Sequence, residues 1–280
     1  NNYVQGYFQY DSRKSGGVTT SHLRFSKDKI RSTYYVDNPE VIVVTKESYL
    51  DNFDCYSNLK SGGIFILNTI HNKEELETIL PSKFKEFIID NDIKFYIINA
   101  YALAVKVGLR GKISTIMESV IMYLSNLLDY ELANTKMKEY AYNKFFKKGD
   151  KVVEANYDAI DEAIKHLEEV TLTNEDGKEE YKIDSTVYDY MHHRKGDLLP
   201  VSAFLNYPDG RFEGGTSKLE KSGLSEIVPS WIKNNCIECN QCSMVCPHGV
   251  IRPYLLSEEE YECAPDYIKE RCKEAIGRFD

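Results

Sequence analysis

The sequence lacks an excess of positive charge and a long hydrophobic run, and its first residues do not show the pattern of a signal peptide. Asp and Glu (44) outnumber Lys and Arg (35), for a net charge of -9 at pH 7, whereas a nucleic-acid-binding protein needs a basic face to neutralise phosphates. No apolar stretch approaches the roughly 18–20 residues of a membrane-spanning helix. The first residues also lack a basic flank followed by an apolar run, the pattern of a signal peptide. We therefore expect neither nucleic-acid nor membrane partners, and the start without Met reads like a cut inside a longer chain.

Cysteine is scarce outside one short segment. Four of the seven cysteines lie within eleven residues, while Cys55, Cys263 and Cys272 are scattered. A secreted disulfide scaffold distributes its cysteines along a short chain. The crowding instead favours metal ligation in a reducing compartment, so we expect the protein to be cytoplasmic.

Hydrophobic periodicity predicts an α/β fold in roughly the first 168 residues. Short apolar runs of the buried-strand type alternate with helical patterns, which indicates a mostly parallel sheet with flanking helices. From residue 130 to about 168 the pattern is purely helical, with Asn156 near a helix start. The predicted strands are residues 17–25, 41–44, 64–67 and 95–98, and the earlier predicted helices are residues 73–80, 82–90, 100–108 and 115–128.

A change in composition predicts the domain boundaries. Residues 171–178 are polar and rich in turn formers, and residues 181–229 contain many Gly and Pro with little periodicity, as expected of an irregular connecting segment. We predict an α/β domain at residues 1–170, an irregular linker domain at 171–228 and a third segment at 229–280. The charged tail of that third segment is predicted to be helical in part.

The four crowded cysteines match the pattern C-x2-C-x2-C-x3-C-P. They are Cys236, Cys239, Cys242 and Cys246, and Pro247 follows them. This spacing wraps three thiolates around one corner of a 4Fe–4S cube and turns the fourth toward a second cluster. Zinc ribbons, in contrast, separate two pairs of cysteines by about a dozen residues or more. We interpret the run as an iron–sulfur site, with a zinc site or a group of buried thiols as the alternatives.

A module with two clusters needs a second run of four cysteines. Cys263 and Cys272 have neither the ligand spacing nor a following Pro. We therefore expect the second run to lie beyond Asp280, and these two thiols to be buried or incidental.

Motifs in three successive regions accompany the cysteine run. The first region comprises residues 5–19, 96–100 and 148–156, the second residues 196–204 and 215–221, and the third residues 230–235 and 246–253. Together they resemble the gamma domain, the linker domain and the first cluster motif of the pyruvate:ferredoxin (flavodoxin) oxidoreductase family. The family usually shows Glu-Lys-Arg where this chain has Glu220, Lys221 and Ser222, so no role of that arginine is carried over to this chain.

The resemblance implies what the parent protein does. Family members bind thiamine diphosphate with Mg2+, decarboxylate a 2-oxoacid such as pyruvate, pass electrons through 4Fe–4S clusters to ferredoxin or flavodoxin, and release an acyl-CoA. This chain would be an internal segment that holds a gamma domain without its N-terminal part, the linker domain and a truncated ferredoxin-like domain. The thiamine site would lie in the remaining domains of the parent polypeptide, so no catalytic residue is expected here. The full chain would form a homodimer.

The gamma domain of this family binds coenzyme A, and the resemblance implies the residues that do so here. Two adjacent cations and small hydroxyls precede Gly16 and Gly17, which suits a flexible ligand that carries phosphates. A solvated surface loop is the alternative. The implied binding residues are Asp11, Ser12, Arg13, Lys14, Ser15 and Asn156.

Five further side chains carry open alternatives. His248 follows the cluster motif and could donate a hydrogen bond to a cluster sulfur, or make a structural contact. His192 and His193 are adjacent and point in different directions, so packing is favoured over a metal site. His22 and Arg24 share one face of a predicted strand, which could approach the coenzyme loop or a neighbouring domain.

Two other classes of function compete with the oxidoreductase. One is a non-enzymatic, ferredoxin-like electron carrier fused to an α/β docking domain, and the other is an interaction module stabilised by zinc. Analysis of iron and sulfide would exclude the second, and turnover of pyruvate with coenzyme A would exclude the first.

Overall fold

The computed structural model describes residues 3–11, 17–173, 177–178, 186–212, 214 and 229–275. Its contacts divide the chain into two compact units, Asn1–Leu224 and Ser225–Asp280. Within the described part of the chain, none of the helices has the length and apolar character needed to cross a membrane. The finer domain boundaries at residues 170 and 228 stay predictions.

The first unit is built on a four-stranded sheet, whose strands in order across the sheet are β3 (Val41–Val44), β4 (Ile64–Asn68), β5 (Lys94–Ile98) and β6 (Glu168–Val170). Three strands are parallel to one another and the fourth pairs antiparallel with β5, so the prediction of an α/β fold with a mostly parallel sheet is confirmed. The helical segment predicted to about residue 168 ends at His166, and the strand β6 that begins at Glu168 was not predicted.

Helices flank this sheet largely where the periodicity predicts them. Two points differ from the prediction: the helix Ser48–Asn52 was not predicted, and Asn156 lies in the middle of the helix Asp150–Ala163 and not near a helix start. Gly149 directly precedes the helix Asp150–Ala163. Its φ of 96° is a backbone conformation that favours glycine and interrupts the helical segment at this point. The helices are α1 (Ser48–Asn52), α2 (Lys73–Ile79), α3 (Ser82–Asp90), α4 (Ala100–Lys106), α5 (Ser114–Ser125), α6 (Tyr130–Phe145) and α7 (Asp150–Ala163).

Both faces of the sheet are covered by apolar side chains. Alternate residues of β4 point to opposite faces, so Phe65 packs with Phe84 and Phe95 on one side while Ile66 packs with Ile116 on the other. The ring centroids of Phe65 and Phe84 are 4.9 Å apart. Burial of both faces explains why these strands are continuous apolar runs, as is usual in parallel sheets.

A separate antiparallel hairpin carries the predicted coenzyme loop. Its strands are β1 (Tyr3–Gln9) and β2 (Thr20–Ser26), and the pair Gln9 and Thr20 lies at its loop end. The strand β2 falls on the predicted strand at residues 17–25, whereas β1 was not predicted. Tyr7 and Phe8 of β1 are both exposed, so this strand shows no alternation of apolar and polar residues from which it could be recognised.

Short helices complete the two units. The predicted linker contains α8 (Val187–His192), which begins where the Thr186 hydroxyl accepts a hydrogen bond from the backbone of Asp189. Six residues are too few to show helical periodicity, which is why α8 was not predicted. The second unit contains α9 (Gln241–Val245), α10 (Glu258–Cys263) and α11 (Asp266–Lys269), which confirms a partly helical tail.

Candidate functional site

The cysteine run lies on an exposed loop that leads into α9. Cys236 and Cys239 precede the helix, Cys242 is its second residue, and Cys246 follows it directly. Glu238 and Asn240 both have a φ of 59°, a left-handed conformation that non-glycine residues seldom adopt. These two residues turn the chain on either side of Cys239, so the ligand spacing and the backbone conformation together produce a tightly curled segment.

Backbone N–H groups stabilise two of the sulfur atoms, one by an observed contact and one by its effect on the thiol pKa. The N–H of Glu238 donates to Sγ of Cys236 at 3.4 Å. Backbone hydrogen bonds lower the pKa of the Cys246 thiol, and the one from Val250 has the largest effect, followed by the one from His248. A lowered pKa favours the thiolate, which is the form that ligates a metal. These amide donors were not predicted from the sequence, although the Gly at position 249, with a φ of 60°, marks the turn that presents them.

The donor set of the run fits an iron–sulfur group. Four thiols at this spacing, with backbone amides acting on Cys236 and Cys246, are of the kind that holds and tunes such clusters. Within the described ranges, no three or more His, Cys, Asp or Glu side chains converge on one metal position. Assignment of the four cysteines as ligands therefore stays a prediction based on spacing and on the amide contacts.

The remaining cysteines differ from those of the run. Burial, followed by the charge of Asp54, raises the pKa of Cys55 to about 12, so this thiol stays protonated and unreactive at neutral pH. Cys263 is exposed and Cys272 is half-buried, so neither is a buried thiol as one of the two expectations had it.

The structure describes the two residues that flank the predicted coenzyme loop, Asp11 and Gly17. Ser12, Arg13, Lys14 and Ser15 lie outside the described residues, and Asp11 is half-buried at the end of β1. A Cβ atom placed on Gly17 would lie 2.4 Å from Cβ of Asp11. The two ends of the loop therefore touch, and position 17 requires glycine because any side chain would collide with Asp11.

Asn156 is a buried residue that joins α7 to α5. Its side-chain oxygen accepts a hydrogen bond from the Thr115 hydroxyl at 2.7 Å, and its side-chain nitrogen donates to the carbonyl of Val152 at 2.7 Å. Only 2% of the residue is exposed. These contacts give Asn156 a structural role, while its contact with coenzyme A stays a prediction.

Replacing Asn156 with alanine is expected to lower the free energy of unfolding by about 1–3 kcal/mol, because the Thr115 hydroxyl then lacks its acceptor in a poorly solvated place. Urea unfolding followed by circular dichroism measures this change. Asn134→Ala is a suitable control, since the Asn134 amide contacts Asp161 at an exposed position. Equal effects of the two substitutions would contradict the structural role of Asn156.

His22, Arg24 and His193 make contacts within the first unit. His22 stacks on Tyr35 with 4.8 Å between ring centroids, and the Arg24 guanidinium lies 3.6 Å from the centre of the Tyr34 ring. The face shared by His22 and Arg24 therefore packs on the segment that follows the hairpin. His193 is buried, with Nδ1 2.8 Å from the carbonyl oxygen of Asp189 in the preceding helical turn.

Three family models match successive parts of the chain. The model described as pyruvate ferredoxin/flavodoxin oxidoreductase matches residues 1–166, a domain of unknown function matches residues 179–225, and a 4Fe-4S binding domain matches residues 228–251. The last match contains the whole cysteine run.

Curated relatives match over almost the full chain. A pyruvate:ferredoxin oxidoreductase of Moorella thermoacetica is 39% identical over 99% of this chain and 24% of its own length. A pyruvate-flavodoxin oxidoreductase of Enterobacter agglomerans is 40% identical over 94% of this chain and 23% of its own length. The chain thus spans about a quarter of the length of these relatives.

Among solved structures, the PORC subunit of pyruvate oxidoreductase from Thermotoga maritima is 20% identical. It has a TM-score of 0.44 and covers 60% of this chain and 81% of its own, a likeness too weak to bear on function. The family match over residues 1–166 is stronger evidence of membership, because it extends across more than half of the 280 residues. The chain belongs to the pyruvate ferredoxin/flavodoxin oxidoreductase family.

Proposed function

We propose that this chain is the part of a pyruvate:ferredoxin or pyruvate:flavodoxin oxidoreductase that binds coenzyme A and carries electrons through 4Fe–4S clusters. The observation that carries the proposal is the cysteine run, whose spacing and amide contacts lie inside the 4Fe-4S match at residues 228–251. It follows, along the chain, an α/β unit matched by the oxidoreductase family. The names of the relatives support pyruvate as the substrate.

Each cofactor has a defined place in this proposal. Cys236, Cys239 and Cys242 would hold one 4Fe–4S cluster, and Cys246 would serve a second one, so that single electrons pass along the run. Thiamine diphosphate and Mg2+ supply the decarboxylation chemistry and would be bound by other domains of the parent polypeptide. Ferredoxin or flavodoxin would accept the electrons, and the full polypeptide would act as a cytoplasmic homodimer.

The residues of the first unit would bind and orient coenzyme A. Arg13 and Lys14 would contact its phosphates through charge-assisted hydrogen bonds, while Asp11, Ser12 and Ser15 would position the loop around them. The contact between Asp11 and Gly17 supports a loop that is closed at its base. Asn156 would act from α7.

Two measurements on the anaerobically purified intact polypeptide test this function. Iron and acid-labile sulfide in equal amounts, with turnover of pyruvate and coenzyme A that reduces methyl viologen, are expected. Zinc in place of iron would favour the interaction module. Iron and sulfide without pyruvate turnover would favour the electron carrier.

Replacing both Arg13 and Lys14 with alanine is expected to raise the apparent KM for coenzyme A at least tenfold. Each charge-assisted contact is worth roughly 1.5–3 kcal/mol, and about 1.4 kcal/mol corresponds to a factor of ten. Pyruvate decarboxylation should persist, because it does not use the loop. The control is the double variant Lys27→Ala with Lys29→Ala, which removes two exposed charges from the same unit. An unchanged KM in the Arg13 and Lys14 variant would exclude the loop.

A further inference from the structure

The chain returns to the cysteine run after leaving it. The Lys273 ammonium donates a hydrogen bond to the carbonyl of Cys236 and lies 3.6 Å from the carboxylate of Glu238. The Lys233 ammonium, just before the run, donates to the carbonyl of Glu270 at 2.9 Å. These contacts bind the tail to the first turn of the run, although the 4Fe-4S match ends at residue 251.

Lys273 contacts two residues of the turn that leads from Cys236 to Cys239. Glu238 lies inside that turn with a φ of 59°, a conformation that persists where surrounding contacts enforce it. Two contacts hold Glu238 in this conformation. Lys273 binds the Glu238 carboxylate, and the Glu238 N–H donates to Sγ of Cys236. The Lys273 side chain is 31% exposed and that of Glu238 is 28% exposed, so the pair is partly shielded from water.

We propose that Lys273 is a positioning residue of the cysteine run, which fixes the turn between Cys236 and Cys239 and raises the reduction potential of the cluster that these thiols hold. The second half rests on the proposed function. Reduction adds one negative charge to a cluster, and a cation held beside a ligand stabilises that charge by Coulomb attraction. Glu238, held in the same place with the opposite charge, lowers the potential.

The tail provides a matched control residue. Lys269 donates to the carbonyl of Glu262 at 2.7 Å and lies 3.9 Å from the carboxylate of the same residue. Replacing Lys269 with methionine therefore removes the same charge from the same tail without removing a contact to the run.

A redox titration of the anaerobically purified intact polypeptide, followed by paramagnetic resonance, tests the effect on the potential. Lys273→Met should lower the equilibrium constant for one-electron reduction of one cluster at least threefold, which is about 28 mV at 59 mV per factor of ten. Glu238→Gln should shift the same potential upward. Lys273→Arg should stay close to the unmodified protein, and Lys269→Met should leave the potential unchanged. Opposite shifts for Lys273→Met and Glu238→Gln would not arise from a general loosening of the structure.

Hydrogen exchange of the cluster-free polypeptide tests the positioning role independently. The amide of Glu238 should exchange about tenfold faster in Lys273→Met than in Lys269→Met, because a lost contact raises the frequency of local opening. If the unmodified polypeptide binds no iron and sulfide, the proposed function fails while exchange still decides the positioning role. Equal potentials in a fully loaded Lys273→Met and Lys269→Met would overturn the electrostatic role, and equal exchange rates would overturn the positioning role.

Discussion

Replacing Cys246 and Cys239 with serine, one at a time, is expected to perturb two different clusters. Backbone hydrogen bonds from residues 248–251, that of Val250 first, lower the pKa of the Cys246 thiol, whereas the N–H of Glu238 donates to Cys236. In this motif the first three thiolates bind one cube and the fourth binds the other. Each serine variant should therefore change one resonance and leave the other intact.

The effect on electron transfer should be large. Loss of an outer-shell partner already costs a metal site roughly 10–100-fold in affinity or activity, so loss of a ligand should slow viologen reduction by at least that factor. In the proposed function decarboxylation precedes the clusters, so it should remain. Cys263→Ser is the control, since that thiol is exposed and lies outside the run. If the Cys239 and Cys246 variants alter the same resonance, all four cysteines hold one cube and no second run is needed.

Replacing Lys85 with methionine is expected to lower the free energy of unfolding by about 3 kcal/mol. The Lys85 side chain is 2% exposed, and its ammonium lies 2.8 Å from the Glu77 carboxylate and 2.9 Å from the Glu77 carbonyl. Removal of one partner from a buried ion pair costs about 3–5 kcal/mol. We expect the lower end because the Glu77 side chain remains 20% exposed and keeps its contacts to Thr173.

The same substitution should change how stability depends on pH. Burial would raise the pKa of the Glu77 carboxyl, but hydrogen bonds from Lys85 and Thr173 outweigh it and lower the pKa below the ordinary value of 4.5. A carboxyl with a lowered pKa stabilises the fold above its unfolded pKa, and this stabilisation is lost as the pH falls through the folded pKa. The difference between Lys85→Met and the unmodified chain should therefore be full at pH 7 and shrink below pH 4.5.

Urea unfolding at several pH values measures both effects. The control is Lys83→Met, which replaces an exposed lysine of the same helix and should cost less than about 1 kcal/mol. A cost for Lys85→Met that equals the control, or that grows in acid, would contradict the role assigned to this ion pair.

The sequence predicts the central sheet because its strands are buried on both faces. β3, β4 and β5 consist mainly of apolar residues. Such runs can be recognised from the local sequence, without information on the rest of the fold. β6, in contrast, has the sequence Glu-Glu-Val and is a strand because residues 168–170 pair with β5. That pairing is a tertiary contact, so no local pattern announces it.

The candidate site, like the sheet, contains features that can be predicted from the sequence and features that cannot. The four cysteines are readable from the sequence because ligands of one cluster motif are neighbours along the chain. The contact between Lys273 and Glu238 joins residues far apart in sequence, and the amide donors near Cys246 depend on the turn at Gly249. Neither could be predicted, since both arise from backbone conformation and from the return of the tail.

The most direct test of the central claim is a freeze-quench paramagnetic-resonance measurement on the anaerobically purified intact polypeptide. Mixing with pyruvate and coenzyme A should produce the resonance of a reduced 4Fe–4S cluster, and Cys239→Ser should change that resonance. A cluster that stays oxidised in the presence of both substrates, yet is reduced by dithionite, would contradict the claim that pyruvate oxidation delivers electrons to this cysteine run.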